Sequence, residues 1–300
     1  MRFLIAIKDD SEASRNNLQI GVNIATVFGA DISVVYIGHR PRGLIANEVA
    51  VAQRSLSEWN IFHPGIGVLK WAFDTLRNLG FIAADVGEFD PSNILEEKDR
   101  FRMILPHVSG DKIRLILREG QILQELKNET EFRHYDLAIM GDPSTRRRSH
   151  QIIQFLDTSI LIVKNFRPSW NYPIMVCVDD SPATKQAVIF ATEISRHYDS
   201  AIRLLTVSRR KGYFGKGYRN ASRWAKKYMT FHKVKPQVSY IFGHPADVFV
   251  REAGQNYIIV MGKSTGNEIF RFIFGDKPIH TAQRAQCPVL IVKPDRRSRV

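Results

Sequence analysis

Short apolar runs recur along the chain, each closed by charged, glycine-bearing or proline-bearing residues. In the first half they are Phe3–Ile7, Ile32–Ile37, Lys112–Leu117, Leu137–Met140 and Ser159–Val163. In the second half they are Ile174–Val178, Ile202–Val207, Val238–Phe242, Tyr257–Met261 and Val289–Val292. Apolar runs this short and this continuous read as strands buried on both faces, the arrangement of a parallel sheet. Helical patterns fill the intervals. Asp10 or Ser11 can N-cap a helix carrying Leu18, Val22, Ala25 and Val27, which Gly29 ends. Gln121–Phe132 places Ile122, Leu123 and Leu126 on one face. Ser181–His197, Arg219–Phe231, Ala246–Ala253 and Pro278–Ala285 complete the set. Strands alternating with helices predict an α/β fold, a parallel sheet covered on both faces with right-handed crossovers.

The pattern repeats. Phe3-Leu4-Ile5-Ala6-Ile7-Lys8-Asp9-Asp10-Ser11 recurs as Pro173-Ile174-Met175-Val176-Cys177-Val178-Asp179-Asp180-Ser181, an offset of 170 residues that also carries Ile32 and Val34 onto Ile202 and Leu204. Leu137–Gly141 matches Ile258–Gly262, and Ile160–Lys164 matches Val289–Lys293. Four landmarks in one order mark a duplicated domain. The polar joint Asn165-Phe166-Arg167-Pro168-Ser169-Trp170-Asn171 puts the boundary near 166, giving domains 1–166 and 167–300. The first domain carries a long insert, about 39–111, rich in Trp59, Phe62, Trp71, Phe73, Leu76 and Phe81. The spacing of Leu69, Ala72, Phe73 and Leu76 predicts an amphipathic helix after Pro64. Completion of the core is the simplest use of this apolar insert. Capping a vacant cleft, a subunit interface and an apolar-ligand pocket are the others.

Composition narrows the class. The chain of 300 residues is 44% hydrophobic and 24% charged, which is globular, and no apolar run nears the roughly 20 residues of a membrane span. Two cysteines, Cys177 and Cys287, both in strand contexts, read as buried small hydrophobes in a reducing cytosol and not as a disulfide framework. The nine histidines show no metal-ligand spacing with either cysteine, and no Ser–His–Asp arrangement or phosphate-binding P-loop is present. A noncatalytic protein is therefore expected. His244 stands at a helix start, where capping is the simpler role.

Chemistry concentrates after Tyr257–Val260, in Met261-Gly262-Lys263-Ser264-Thr265-Gly266 running on to Gly275-Asp276-Lys277. A glycine-bearing loop between a strand and a helix lets backbone N–H groups approach a phosphate. Together with Val178-Asp179-Asp180-Ser181, Gly243-His244-Pro245-Ala246-Asp247 and Cys287-Pro288-Val289-Leu290-Ile291-Val292, this loop makes the second half resemble a universal stress protein domain. The whole chain looks like a tandem member of that family. The resemblance implies two tandem doubly wound five-stranded parallel-sheet domains, Rossmann-like and adenine nucleotide alpha hydrolase-like, with strand order 3-2-1-4-5. It implies that Leu161–Val163 and Leu290–Val292 pair, so that the halves mimic a dimer, and a homodimer of the whole chain is expected beyond that.

The same resemblance implies ATP binding through Gly-x2-Gly-x9-Gly-Ser/Thr, with Asp179 after the first strand and Val207 on the adenine side. Gly262 and Gly275 match the outer glycines, Thr265 takes the middle one with Gly266 a place late, and Asp276 replaces the hydroxyl. A carboxylate about 4 Å from a phosphate costs roughly 4 kcal/mol at an effective dielectric near 20, about a thousandfold in affinity. A bridging Mg²⁺ reverses that sign, and Lys263 and Lys277 oppose it. A retained turn without ligand is the alternative. In the first half, Val163 follows Met140 by 23 residues where Val292 follows Met261 by 31, so the closing glycine is missing. Arg146, Arg147 and Arg148 there read as a solvated basic loop.

A net charge of +13 predicts attraction to anions. No acidic residue occurs from Ala201 to Ala246, where Arg209, Arg219, Arg223, Lys226 and Lys227 interleave with Tyr213, Phe214, Trp224 and Tyr228. A solvated basic helix with its aromatics packed on the sheet is the simpler reading, with Trp224 and Tyr228 as core anchors. A nucleic-acid surface is the competing one. The leading expectation is a cytoplasmic stress-response or signalling protein that binds an adenine nucleotide in its second domain.

Overall fold

The computed structural model describes residues 1–38, 64–97, 100–108, 112–143, 145–168, 171–211, 213–263 and 277–293. The chain forms two compact units, Met1–Tyr135 and Asp136–Val300. The first contains β1 (Arg2–Ile7), α1 (Glu12–Phe28), β2 (Asp31–Gly38), α2 (Pro64–Asn78), β3 (Leu95–Glu97), β4 (Arg100–Pro106), β5 (Lys112–Glu119) and α3 (Ile122–Phe132). Its strands lie in the order β1-β2-β5-β4-β3. β1, β2 and β5 are parallel, with Phe3 beside Ile32 and Val34 beside Leu115. Each buries its apolar run, so Leu4, Val34 and Leu115 are fully covered.

Helix α1 starts where Ser11 accepts a hydrogen bond from the Ser14 amide and ends on Gly29, whose φ of 53° is left-handed. Its buried face is Leu18, Val22 and Ala25 with Ile20 and Ile24, while Val27 is only half-buried. In α3 the expected apolar face is narrower: Leu126 is buried, Ile122 is 45% exposed, and Glu129 takes the inward position.

The described part of the insert completes the core. Helix α2 follows Pro64 and buries Leu69, Ala72, Phe73 and Leu76 against β2 and β5. The insert also adds two strands that the apolar pattern did not predict. β4 pairs antiparallel with β5, and β3 with β4, so this sheet is not purely parallel. Trp59 and Phe62 lie outside the described residues.

The second unit contains β6 (Leu137–Gly141), α4 (Arg146–Phe155), β7 (Ser159–Val163), β8 (Ile174–Val178), α5 (Pro182–Tyr198), β9 (Ile202–Ser208), α6 (Lys216–Phe231), β10 (Gln237–Phe242), α7 (Pro245–Ala253), β11 (Ile258–Gly262), α8 (Lys277–Arg284) and β12 (Val289–Val292). Its strand order is β10-β9-β8-β11-β12-β7-β6. The first five are parallel and reproduce the order 3-2-1-4-5. β12 then meets β7 antiparallel, with Leu290 opposite Leu161. Both edges would otherwise present unpaired N–H and C=O groups, and pairing satisfies them. The joint at 165–171 thus lies inside this unit.

The basic stretch from Arg146 is a helix and not a loop. Thr145 caps it by accepting from the Arg148 amide, and Ile152, Ile153 and Leu156 bury its inner side. Two lysines reach this helix's last carbonyls: Lys263 Nζ donates to Ile153 O at 2.9 Å, and Lys293 Nζ donates to Leu156 O. Reciprocally, Lys164 Nζ donates to Gln283 O on α8 at 3.4 Å. Cations at helix C-termini offset the negative end of the dipole. The repeated Val-Lys that closes β7 and β12 therefore has one structural use in both halves. Among the described residues no helix is long and apolar enough to cross a membrane.

Candidate functional site

In an open α/β sheet the ligand crevice lies beyond the carboxyl ends of the strands where the winding direction reverses. In the second unit that point is between β8 and β11. β8 leads through α5 outward to β9, and β11 leads through α8 the other way to β12. Asp179 follows β8, and Gly262 ends β11.

The Asp179 carboxylate is held by its own loop. Its Oδ1 accepts from the Ser181 amide at 3.0 Å, the Ser181 hydroxyl at 2.6 Å and the Thr184 hydroxyl at 2.7 Å. Its Oδ2 lies 3.7 Å from Lys277 Nζ, at the start of α8. Three donors on one oxygen fix the rotamer, so the second oxygen is presented in one direction. The first unit repeats this design. Asp9 Oδ1 accepts from the Ser11 amide at 3.2 Å, from the Ser11 hydroxyl and from the Ser14 hydroxyl at 3.2 Å. The Ser11 hydrogen bond holds the Asp9 carboxyl below its ordinary value. The duplication visible in the sequence thus extends to individual hydrogen bonds.

Gly262 has a packing reason of its own. A Cβ there would sit 2.5 Å from the Ala183 carbonyl carbon and 2.7 Å from the Thr184 nitrogen, both backbone of α5. The glycine is what lets β11 end against the first turn of α5. Val207 is buried on β9 beside Ile241, and Met261 is buried on β11 between Cys177 and Ile291. Thr265, Gly266, Gly275 and Asp276 lie outside the described residues.

Lys263 does not serve the crevice as the sequence suggested. It is buried, with its ammonium on α4. Lys277 alone of the two lysines stands by Asp179. Sequence reasoning passed over Gly217 and counted Tyr218 only among the aromatics interleaved with the basic run. A Cβ at Gly217 would be 2.8 Å from Asp180 Oδ2, so the start of α6 closes on the aspartate loop. The Tyr218 hydroxyl is raised above its ordinary value by burial, then by Asp180 and Asp179. The missing signal was tertiary: 38 positions separate Asp179 from Gly217, and no local pattern links them.

His244 is at the N-cap of α7 but makes no capping hydrogen bond through its side chain. Its ring instead lies 3.7 Å from Asp247 and 3.4 Å from Arg209. Cys177 and Cys287 are buried and free. Among the described residues no three His, Cys, Asp or Glu side chains converge on a metal position.

The sequence model of the universal stress protein family matches residues 172–293. No curated protein sequence matches at a significant level. Among solved structures, a universal stress protein from Archaeoglobus fulgidus is similar over 99% of this chain and 97% of its own, with 16% identity and a TM-score of 0.66. A protein of unknown function from Pseudomonas aeruginosa is similar over 98% and 92%, with 14% identity and a TM-score of 0.58. At these identities the likeness is one of fold.

Proposed function

Residues 172–293 belong to the universal stress protein family, and on that premise we propose that this protein is a noncatalytic, cytoplasmic stress-response or signalling protein whose second half binds an adenine nucleotide between β8 and β11. One observation carries the reading: Asp179, with one oxygen locked by three donors, pairs its second oxygen with Lys277 at the reversal point of the sheet. A carboxylate so fixed suits a hydroxyl-bearing ligand such as a ribose, and the neighbouring ammonium suits a phosphate. To this site we assign Asp179, Val207, Met261, Gly262 and Lys277, with Thr265, Gly266, Gly275 and Asp276 assigned from the sequence. When bound, Mg²⁺ would arrive with the nucleotide and be met by Asp276. Binding would change the surface presented to partners, and a homodimer of the whole chain belongs to the same reading.

Calorimetry of ATP and AMP on the full chain, with and without Mg²⁺, tests this. Micromolar binding, lost in Asp179→Ala, is expected. Absence of binding by both the native chain and an Asp276→Ser variant would overturn it. ATP turnover that is lost in Asp179→Ala would overturn the noncatalytic part alone.

A further inference from the structure

The groove between α6 and the edge strand β10 lies away from the proposed cleft and has a different lining. It encloses about 570 Å³. One wall is aromatic, formed by Phe214 and Tyr240 with ring centroids 5.1 Å apart. The rim is cationic, from Arg219, Arg223 and Lys226 on α6. All three are exposed, and among the described residues no carboxylate pairs with them.

Three features separate this groove from a solvated basic helix. First, the aromatics are not core. Helix α6 buries Ser222, Ala225 and Met229 and packs over β8 and β9, leaving the outer row of β10 uncovered. Tyr240 is 44% exposed, and Phe242, whose ring lies 4.7 Å from Phe214, is 40% exposed. Trp224 and Tyr228, which the sequence suggested as core anchors, stack on each other half-buried. Second, Ser222 lines the groove with a hydroxyl that is buried and has no hydrogen-bond partner. A buried hydroxyl is ordinarily satisfied, so an unpartnered one in a groove wall marks a place for a polar ligand atom. Third, no acidic residue occurs between Asp199 and Asp247, so the segment that builds the groove itself contributes only positive charge.

We propose that this groove binds single-stranded nucleic acid, with a base stacked on one ring of the edge-to-face Phe214–Tyr240 pair, a base edge or sugar hydroxyl on Ser222, and phosphates on Arg219, Arg223 and Lys226. Every base has a π-face, so such a wall is tolerant of sequence, and the cationic rim tracks the backbone. A ligand that is only anionic has no use for the aromatic wall. A ligand that is only apolar has no use for the rim.

The test is fluorescence anisotropy of a labelled single-stranded oligouridylate with the full chain. Phe214→Ala and Tyr240→Ala, both at partly exposed sites that leave the core intact, are expected to weaken binding about tenfold without changing its salt dependence. Arg219→Ala with Arg223→Ala is expected to shallow the log–log salt slope by about 0.7 per lost contact. Ser222→Ala keeps the packing and is expected to weaken binding severalfold. Asp179→Ala and excess ATP are expected to leave it unchanged, which separates this site from the cleft. Equal binding of heparin, duplex and single strand, with the aromatic variants like the native chain, would reduce the groove to bulk charge and overturn the proposal. So would a concentration-dependent dimer that Tyr240→Ala dissociates while oligonucleotide affinity is unchanged.

Discussion

Lys263 Nζ donates to the carbonyl of Ile153 at 2.9 Å, joining the residue after β11 to the last turn of a helix 110 positions earlier. The ammonium is buried and committed to that helix end. Lys263→Ala is therefore expected to lower stability by about 1–3 kcal/mol, through the lost charged hydrogen bond and helix-dipole contact. Nucleotide affinity should change by less than about twofold. Urea unfolding beside calorimetry checks both. A large loss of affinity at unchanged stability would place the lysine in the crevice instead.

Gly262→Ala should destabilise the protein in the absence of any nucleotide. Its new Cβ meets the backbone of Ala183 at 2.5 Å, and backbone cannot swing aside as a flexible side chain does. A cost of about 1–3 kcal/mol follows from forced overpacking. Thermal unfolding of the ligand-free variant checks it. A ligand-binding loss measured without that control would misassign a packing glycine to phosphate contact.

Glu129 is the structural pivot of the first unit. Arg100 and Arg118 stand directly opposite each other across β4 and β5, where like charges repel. Fully buried Glu129 lies between them, 3.0 Å from Arg100 and 2.8 Å from Arg118, and also accepts from Tyr135 at 2.9 Å. Glu129→Gln removes the charge that the two buried guanidiniums share, leaving Arg100 with Glu97 at 2.7 Å and Arg118 with Glu125 at 3.1 Å, and is expected to cost about 1–3 kcal/mol. Denaturant titration of the full chain checks the size of the loss.

The buried thiols set an alkaline limit. Burial pushes the Cys287 thiol up to about 12 from an ordinary 9.0, and burial followed by Asp179 raises Cys177. A thiol raised in the folded state contributes stability that is fully present below the unfolded value and is lost as pH climbs through the folded one. Unfolding free energy should therefore fall from near pH 9 toward pH 12, by about 1.4 kcal/mol per unit for Cys287. Cys287→Ala should flatten that slope. Thiol reagents at neutral pH should leave both cysteines unmodified until the chain is denatured.

Ser222→Ala should raise the melting temperature of the ligand-free protein. It removes a buried hydroxyl with no partner, whose desolvation costs about 1–3 kcal/mol. Scanning calorimetry without nucleic acid checks this independently of binding.

Much of the fold was legible before any coordinates. The apolar runs became strands at nearly their expected bounds because a strand covered on both faces must be apolar throughout. Ser11 and Gly29 closed α1 as expected because capping is local chemistry. The insert helix buried Leu69, Ala72, Phe73 and Leu76, the residues whose spacing had marked it. Where pattern was weak, reading failed. Arg146-Arg147-Arg148 hid a helix whose buried face begins only at Ser149. β3 and β4 carry arginines and glutamates whose partners lie on other elements, so their polarity resembled a loop.

The sequence by itself determined the ten apolar strands, the α1 caps and the Asp179 loop, because each is written in residues close together along the chain. Tertiary structure alone decided where the long side chains went. It sent Lys263 to α4 and left Lys277 at Asp179, set Gly262 against α5, placed Glu129 between two arginines, and opened Tyr240 to solvent. Long charged side chains have several rotatable bonds and many reachable partners. Which partner wins depends on what packing brings within about 3 Å of the charge, and composition and spacing do not carry that distance.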